Sequence, residues 1–234
     1  MKPTKALPLG KKTFPKIPHL PGSRTGSSDR MAPPELARRC LERSTKGDVV
    51  IVQEKLDGSC VAVAKLNGAI VALGREGWRA AESNNPGRQM FARWVLTHEA
   101  RFSTLLNDGE WLSGEWLALA HSTRYELRHE PFVVFDLFSN DGALSTERRD
   151  ARLSGAFARP ALLHRGEAIS LSVIDEKLGA HGHHGALDAV EGAVWRVERQ
   201  GLVLHRAKFV RPGKVDGAYL PENSGKPAVW NWSD

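Results

Sequence analysis

The apolar run Val49-Val50-Ile51-Val52 is followed by Gln53-Glu54-Lys55-Leu56-Asp57-Gly58-Ser59 and then by Val61-Ala62-Val63-Ala64. Each run has the length and residue types of a buried strand. Asp57-Gly58 is a tight-turn signal, so the pattern predicts a hairpin with Lys55 at its edge, one step from the interior. A further strand is predicted at 69–73, closed by Gly74-Arg75-Glu76-Gly77. Residues 88–106 have helical spacing, with Met90, Phe91, Trp94, Val95 and Leu96 apolar. These aromatics read as core, not as a base-stacking platform. Strands are predicted at 110–117 and 130–138. A helix capped by Ser145 carries arginines to about Arg159 and stops at Pro160. Residues 169–178 read as strand or loop and then a short helix. Residues 191–199 and 202–211 form a hairpin turned by Gln200-Gly201, which brings Glu191 and Lys208 toward one end of a sheet.

Upstream, residues 1–34 are rich in Pro, Gly, Ser and basic side chains and should be mostly irregular. Phe14, Ile17, His19 and Leu20 are too closely spaced for a tail, so this piece is expected to lie against the domain. A short helix with a basic face is predicted at 34–41. The expected division is an N-terminal segment, 1–45, packed on a domain of residues 46–234. Trp230-Asn231-Trp232 should pack onto the body.

The chain has 234 residues, enough for a sizeable core. Its formal charge of +6 favours a polyanionic partner, though only as a property of the average surface. Cys40 and Cys60 are the only cysteines and form no metal pattern or disulfide framework, so reduced thiols in a cytoplasmic protein are expected. No apolar run reaches membrane-spanning length. The basic stretch from Lys2 to Lys16 is interrupted by Pro3, Pro8 and Pro15 and does not form a signal peptide.

Several polar groups stand in apolar surroundings. Lys55 follows a buried strand, where desolvation and nearby positive charge would lower its pKa and free the amine as a nucleophile. Glu115 lies among large apolar neighbours, and Asp136 inside an apolar run. A buried carboxylate without a partner is costly, so each should have one. Ser23, Arg24 and Thr25 either hold a phosphate or cap the following turn. The stretch His181-Gly182-His183-His184-Gly185 has the composition of a metal site, but its glycines and lack of nearby cysteine or carboxylate read better as a mobile loop.

Taken in order, the chain contains Lys-x-Asp-Gly (55–58), Gly-Arg-x-Gly (74–77), Gly-Glu-Trp (114–116), Phe-Asp (135–136), Glu-Gly-x-Val-x-Arg (191–196) and a lysine strand at Lys208. This set resembles the covalent nucleotidyltransferase superfamily of DNA ligases, RNA ligases and messenger RNA capping enzymes, over about residues 49–211. It is most similar to ATP-dependent RNA ligases of phage and bacterial type, some of which carry a stretch like His19 to Ser23. The resemblance implies an α+β adenylation domain of antiparallel sheets with flanking helices. It implies that Lys55 attacks the α-phosphorus of ATP to form lysyl-AMP. By the same resemblance, Arg75 lies near the nucleotide sugar and the incoming 5′-phosphate, Glu115 binds ribose hydroxyls, and Phe135 stacks on adenine. Glu54 lies where adenine is contacted. Glu191 helps place the metal, Mg2+ or Mn2+, and the nucleophile. Lys208 contacts the α-phosphate.

Two departures stand out. The last motif often reads Lys-x-Lys, whereas Lys208-Phe209-Val210 lacks the second lysine, with Arg206 or Arg211 as substitutes. Only about two dozen residues follow Arg211, too few for an OB-fold or a separate C-terminal domain. Nucleic-acid grip is then expected from the basic N-terminal segment, the arginine-rich helix after Ser145 and the tail. The implied partner is RNA, with DNA as the alternative, carrying 5′-phosphate and 3′-hydroxyl ends. A homodimer or an accessory protein would fit a catalytic domain standing alone. A nucleic-acid-binding module without catalysis is the remaining alternative.

Overall fold

The computed structural model describes residues 6–233, so Lys2 and Pro3 lie outside the described residues. The elements in chain order are α1 (Pro34–Leu41), β1 (Asp48–Lys55), β2 (Ser59–Leu66), β3 (Ala69–Gly74), a 3-10 turn (Ala80–Glu82), α2 (Pro86–Thr97), α3 (Glu99–Leu105) and β4 (Trp111–Trp116). They continue with β5 (Phe132–Ser139), β6 (Gly142–Ala143), α4 (Thr146–Leu153), β7 (Leu162–Gly166), α5 (Leu171–Leu178), β8 (Gly192–Arg199), β9 (Leu202–Val210) and α6 (Pro221–Ser224). Helices and antiparallel sheets make this the expected α+β class. One sheet has the order β7-β1-β8-β9 and the other β3-β2-β4-β5-β6. The chain divides into two compact units, one around each sheet. The first holds the N-terminal segment through Pro15, Ser59–Trp116 and Phe132–Phe157. The second holds Lys16–Gly58, Leu117–Pro131 and the chain from Ala158 onward.

In the second unit β1 is buried on both faces, with Val50, Ile51 and Val52 all inaccessible, which is why its apolar run is unbroken. Leu36, Ala37 and Cys40 of α1, and Ile174 and Leu178 of α5, join Val50, Val52, Trp195 and Ala207 in one cluster. Asp48 fastens this layer. It accepts from Arg39 and Arg199, and although burial alone would raise its carboxyl, these guanidinium bonds hold it below the ordinary range. Neither cysteine is in a disulfide: Cys40 is buried, its thiol pushed up to about 12 by desolvation, and Cys60 is half-buried. At the other end of the chain, Asn231 donates to the Ala118 and Leu117 carbonyls and accepts from the Tyr125 N–H, so the tail does pack on this unit.

In the first unit, α2 and α3 press Phe91, Trp94 and Phe102 against Trp116 and Phe132, with ring centroids 5.2–6.4 Å apart. These aromatics are core, as their spacing predicts. The single helix expected over 88–106 is broken at His98, whose ring nitrogen bonds the Trp94 carbonyl at 2.8 Å and competes with the helical ladder. Pairing of β4 with β5 shifts at Ser113/Gly114, where Ser113 faces Asp136 and Gly114 faces Val134. Phe135 is thus the extra residue of a β-bulge, a device that re-aims a side chain.

Two further expectations fail for identifiable reasons, and one strand has no sequence signal. β1 and β2 do not form a hairpin; they belong to different sheets, because Asp57 is held by long-range bonds rather than serving as a turn residue. The arginine-rich helix ends at Leu153, not near Arg159, since Ser154 and Gly155 both take positive φ. Its arginines are largely committed within the fold: Arg149 is fully buried and donates to the Phe135 carbonyl, and Arg152 pairs with Glu110. Strand β7 was not marked by its sequence; Leu162-Leu163-His164-Arg165-Gly166 is an edge strand with a mixed pattern. No helix among the described residues is long and apolar enough to cross a membrane.

At Gly114 a Cβ would stand 2.5 Å from the Phe132 ring and 2.6 Å from the Val133 carbonyl oxygen. Gly114→Ala is therefore expected to destabilise the protein by about 1–3 kcal/mol, read as a lowered urea midpoint at unchanged m-value.

Candidate active site

The second unit's sheet fixes a register that converges on Lys55. Lys55, the last residue of β1, lies opposite Gly192, which lies opposite Val210, while Val194 faces Lys208. Glu191, just before β8, is thereby set beside Lys55, and the Lys55 Nζ donates to Glu191 Oε2 at 2.6 Å and to the Leu56 carbonyl at 3.3 Å. The convergence needs Gly192, because a Cβ there would collide with the Phe209 carbonyl. Burial pushes the Glu191 carboxyl up, partly countered by the Lys55 ammonium. The partner in direct contact with the Lys55 amine is thus a carboxylate, and the two form an ion pair at the end of β1.

Asp57 anchors the chain after Lys55. Its N–H donates to the Tyr125 hydroxyl at 3.1 Å, and its Oδ2 accepts from the Ser122 N–H at 2.9 Å and the Thr123 hydroxyl at 3.1 Å. Lys214 completes the network 3.4 Å from Asp57 Oδ2, donating also to the Ser122 and Ala189 carbonyls and to the Thr123 hydroxyl. Lys214 is buried and adds positive charge that Glu191 experiences. The sequence pattern gave no signal for it, since it follows Pro212-Gly213 in an irregular stretch. Of the two substitutes for a missing lysine, Arg211 is paired with Asp175 at 2.7 Å.

Glu54 is buried and accepts from the His183 N–H at 2.9 Å and from His183 Nδ1 at 2.8 Å. Desolvation raises its carboxyl, and the His183 bonds oppose that. Gly182 makes room, as a Cβ there would lie 2.5 Å from Glu54 Oε1. The histidine-rich loop is tied to Glu54 through the His183 N–H and ring and to His129 through His184. His129 Nε2 bonds His184 Nδ1 at 2.8 Å and His129 Nδ1 bonds the Glu130 carbonyl at 2.7 Å. That chain of bonds makes His184 Nδ1 the donor and leaves its buried Nε2 as the unprotonated nitrogen.

Residues 18–24 run beside β9 and brace Lys208. Lys208 N–H donates to the Pro18 carbonyl at 2.9 Å, Leu20 N–H to the Lys208 carbonyl at 2.7 Å, and Arg24 N–H to the Val210 carbonyl at 2.8 Å. Ser23 Oγ accepts from the Val210 N–H at 2.9 Å and bonds His19 Nδ1 at 2.7 Å. The Ser23 hydroxyl thereby ties this stretch to β9. His19 is buried with Nε2 3.3 Å from Asp29; burial and then the charge of Lys208 lower its pKa, against the opposing pull of Asp29.

The remaining predicted residues belong to the first unit. Arg75 follows β3 and donates to the Pro15 carbonyl at 2.9 Å. Glu115 is half-buried on β4, opposite Cys60 and Val133. Phe135, at the bulge, packs its ring edge-on to Phe14 at 4.8 Å. Among the described residues no group of three or more His, Cys, Asp or Glu side chains is placed to hold a metal ion, so a metal here would rest on few protein ligands.

The RNA ligase family model matches residues 48–210. An archaeal ATP-dependent RNA ligase is similar in structure, with a TM-score of 0.55 at 23% identity over 85% of this chain and 48% of that one. Naegleria gruberi RNA ligase with PPi aligns at 0.53 and 18% identity over 90% of this chain and 62% of that one. A mutant form of the Naegleria enzyme with ATP and Mn aligns at 0.54 and 17% identity, covering 84% and 60%. At these identities the likeness is one of fold. The chain spans about half to three-fifths of the length of these proteins. No curated protein matches the sequence.

Burial, with the charges of His129 and His183, lowers the His184 pKa from 6.5 to about 4. The unfolded chain then binds a proton that the folded one refuses as pH falls from about 6.5 to 4, so stability should drop across that window and be fully present above it. His184→Asn, which tolerates the positive φ at this position, should flatten the fall. Urea midpoints from pH 7 to 4 check this.

Proposed function

Because the chain belongs to the RNA ligase family, we propose that it is an ATP-dependent RNA ligase acting through Lys55. The observation that carries this reading is the Lys55 amine held 2.6 Å from Glu191 at the end of a rigid, buried strand. The Lys55 Nζ attacks the α-phosphorus of ATP; an N–P bond forms, the bond to the bridging oxygen breaks, and pyrophosphate leaves. The amine must shed a proton, and Glu191, its basicity raised by burial, is the acceptor in contact. Lys208 neutralises charge on the α-phosphoryl oxygens. An oxygen of an RNA 5′-phosphate then attacks the same phosphorus, forming the 5′-anhydride and freeing Lys55. Finally a 3′-hydroxyl attacks the 5′-phosphorus, the phosphodiester forms and AMP leaves.

In this reading Glu115 takes the ribose hydroxyls, Phe135 and Glu54 the adenine, and Arg75 the sugar and incoming phosphate. A divalent ion, Mg2+ or Mn2+, would be held by Glu191 together with the triphosphate, which suits a donor set of one carboxylate, and would neutralise the departing pyrophosphate. Residues 46–234 carry the chemistry and residues 1–45 support it, with residues 18–24 bracing Lys208. Relatives described with ATP and Mn, and with PPi, support the choice of nucleotide and metal.

Incubation with ATP labelled at the α-phosphate should attach label to the protein, releasable by RNA bearing a 5′-phosphate. Lys55→Ala is expected to abolish labelling, and Glu191→Gln to slow it by roughly 10²–10⁴-fold as a lost proton acceptor. Labelling of Lys55→Ala at the wild-type level would refute the assignment.

A further inference from the structure

The first unit contains a cavity of about 420 Å³ lined by Gly74, Arg75, Trp78, Arg79, Ser83 and Arg88. Trp78 is 47% exposed, whereas Trp94, Trp111 and Trp116 of the same unit are buried. Leaving an indole face in water at a cavity wall forgoes burial that this sequence achieves elsewhere. The loop presenting it is built, not loose. The Gly77 N–H donates to the Gly74 carbonyl at 2.9 Å, the Gly74 N–H donates to the Trp78 carbonyl at 2.8 Å, and Leu73 bridges Arg79. Gly77 has φ +93, and a Cβ there would lie 2.5 Å from the Lys11 carbonyl oxygen. Of the three guanidinium groups, Arg75 and Arg88 each have a buried Nε without a hydrogen-bond partner. Two carboxylates also line the cavity, Glu76 and Glu82, and Glu76 is paired with Lys12. The cationic side therefore outnumbers the acidic one, and guanidinium donors stand beside an exposed π-face.

We propose that this cavity is a strand-binding site for single-stranded RNA, with one base stacked on Trp78 and the neighbouring phosphodiester held by Arg79 and Arg88. It rests on the ligase reading for the identity of the strand, but not on the chemistry of Lys55. An aromatic face with flanking cations is the general solution for holding unpaired bases and their backbone without regard to sequence.

The test is binding of a short, fluorescein-labelled single-stranded RNA with a 5′-hydroxyl, without ATP, followed by anisotropy across a salt series. Trp78→Ala should weaken binding by about tenfold, the size of one lost base stack, and Trp78→Phe should restore most of it. Arg79→Ala and Arg88→Ala should each lower the slope of log affinity against log salt by about one. All four variants should label with ATP as wild type does. Wild-type affinity in Trp78→Ala, or unchanged salt slopes in both arginine variants, would overturn the proposal. Should the wild type bind RNA through Trp78 yet never take label from ATP, the ligase reading falls while this site stands.

Discussion

The meeting of Lys55 and Glu191 depends on the absence of a side chain at Gly192. Three strands close on one another there, since Lys55 of β1 faces Gly192 and Gly192 faces Val210. A larger residue would push β8 off the Phe209 carbonyl and open the sheet at the position where Glu191 meets the Lys55 amine. The contact at 2.6 Å is thus a property of backbone register, fixed by ladder hydrogen bonds and by burial of Val50, Ile51 and Val52, and owes little to side-chain flexibility. Catalytic groups carried on rigid strands hold their geometry better than those on loops.

Around that contact the fold concentrates ionisable groups away from water and satisfies them internally. Asp57 and Lys214 share Thr123, Glu54 takes the His183 N–H, and Asp48 binds two guanidinium groups. Breaking any of these by removing one partner would strand a buried charge, which is why such networks hold a local shape even where they add little net stability. Residues 18–24 serve the same end by a different means, extending the sheet beside Lys208 with backbone bonds and the Ser23 hydroxyl.

Much of this was legible in the chain. Strands with unbroken apolar runs, the β8–β9 hairpin, helix α1 and the Ser145 cap are local signals, and that hairpin carries Glu191 and Lys208 toward one end of a sheet. What failed depended on distant residues. Asp57-Gly58 has the composition of a hairpin turn, but Ser122, Thr123 and Lys214, far along the chain, claim the Asp57 carboxylate. The arginines after Ser145 looked like a surface for polyanions until Arg149 proved to be buried against the Phe135 carbonyl. Lys214 carried no periodic or motif signal at all. The carboxylate partner of Lys55 was expected at the site, but its direct bond to the amine was not, because strand register is not written in either strand alone.

The unequal setting of the two thiols has a practical side. Cys40, on the buried face of α1 and with its thiol pushed up to about 12 by burial, is closed to maleimides and other alkylating reagents at neutral pH. Cys60 is partly accessible and stands opposite Glu115 in the β2–β4 ladder. Of the two thiols in this sequence, Cys60 is therefore the one that offers an attachment point for a reporter dye or spin label, next to Glu115.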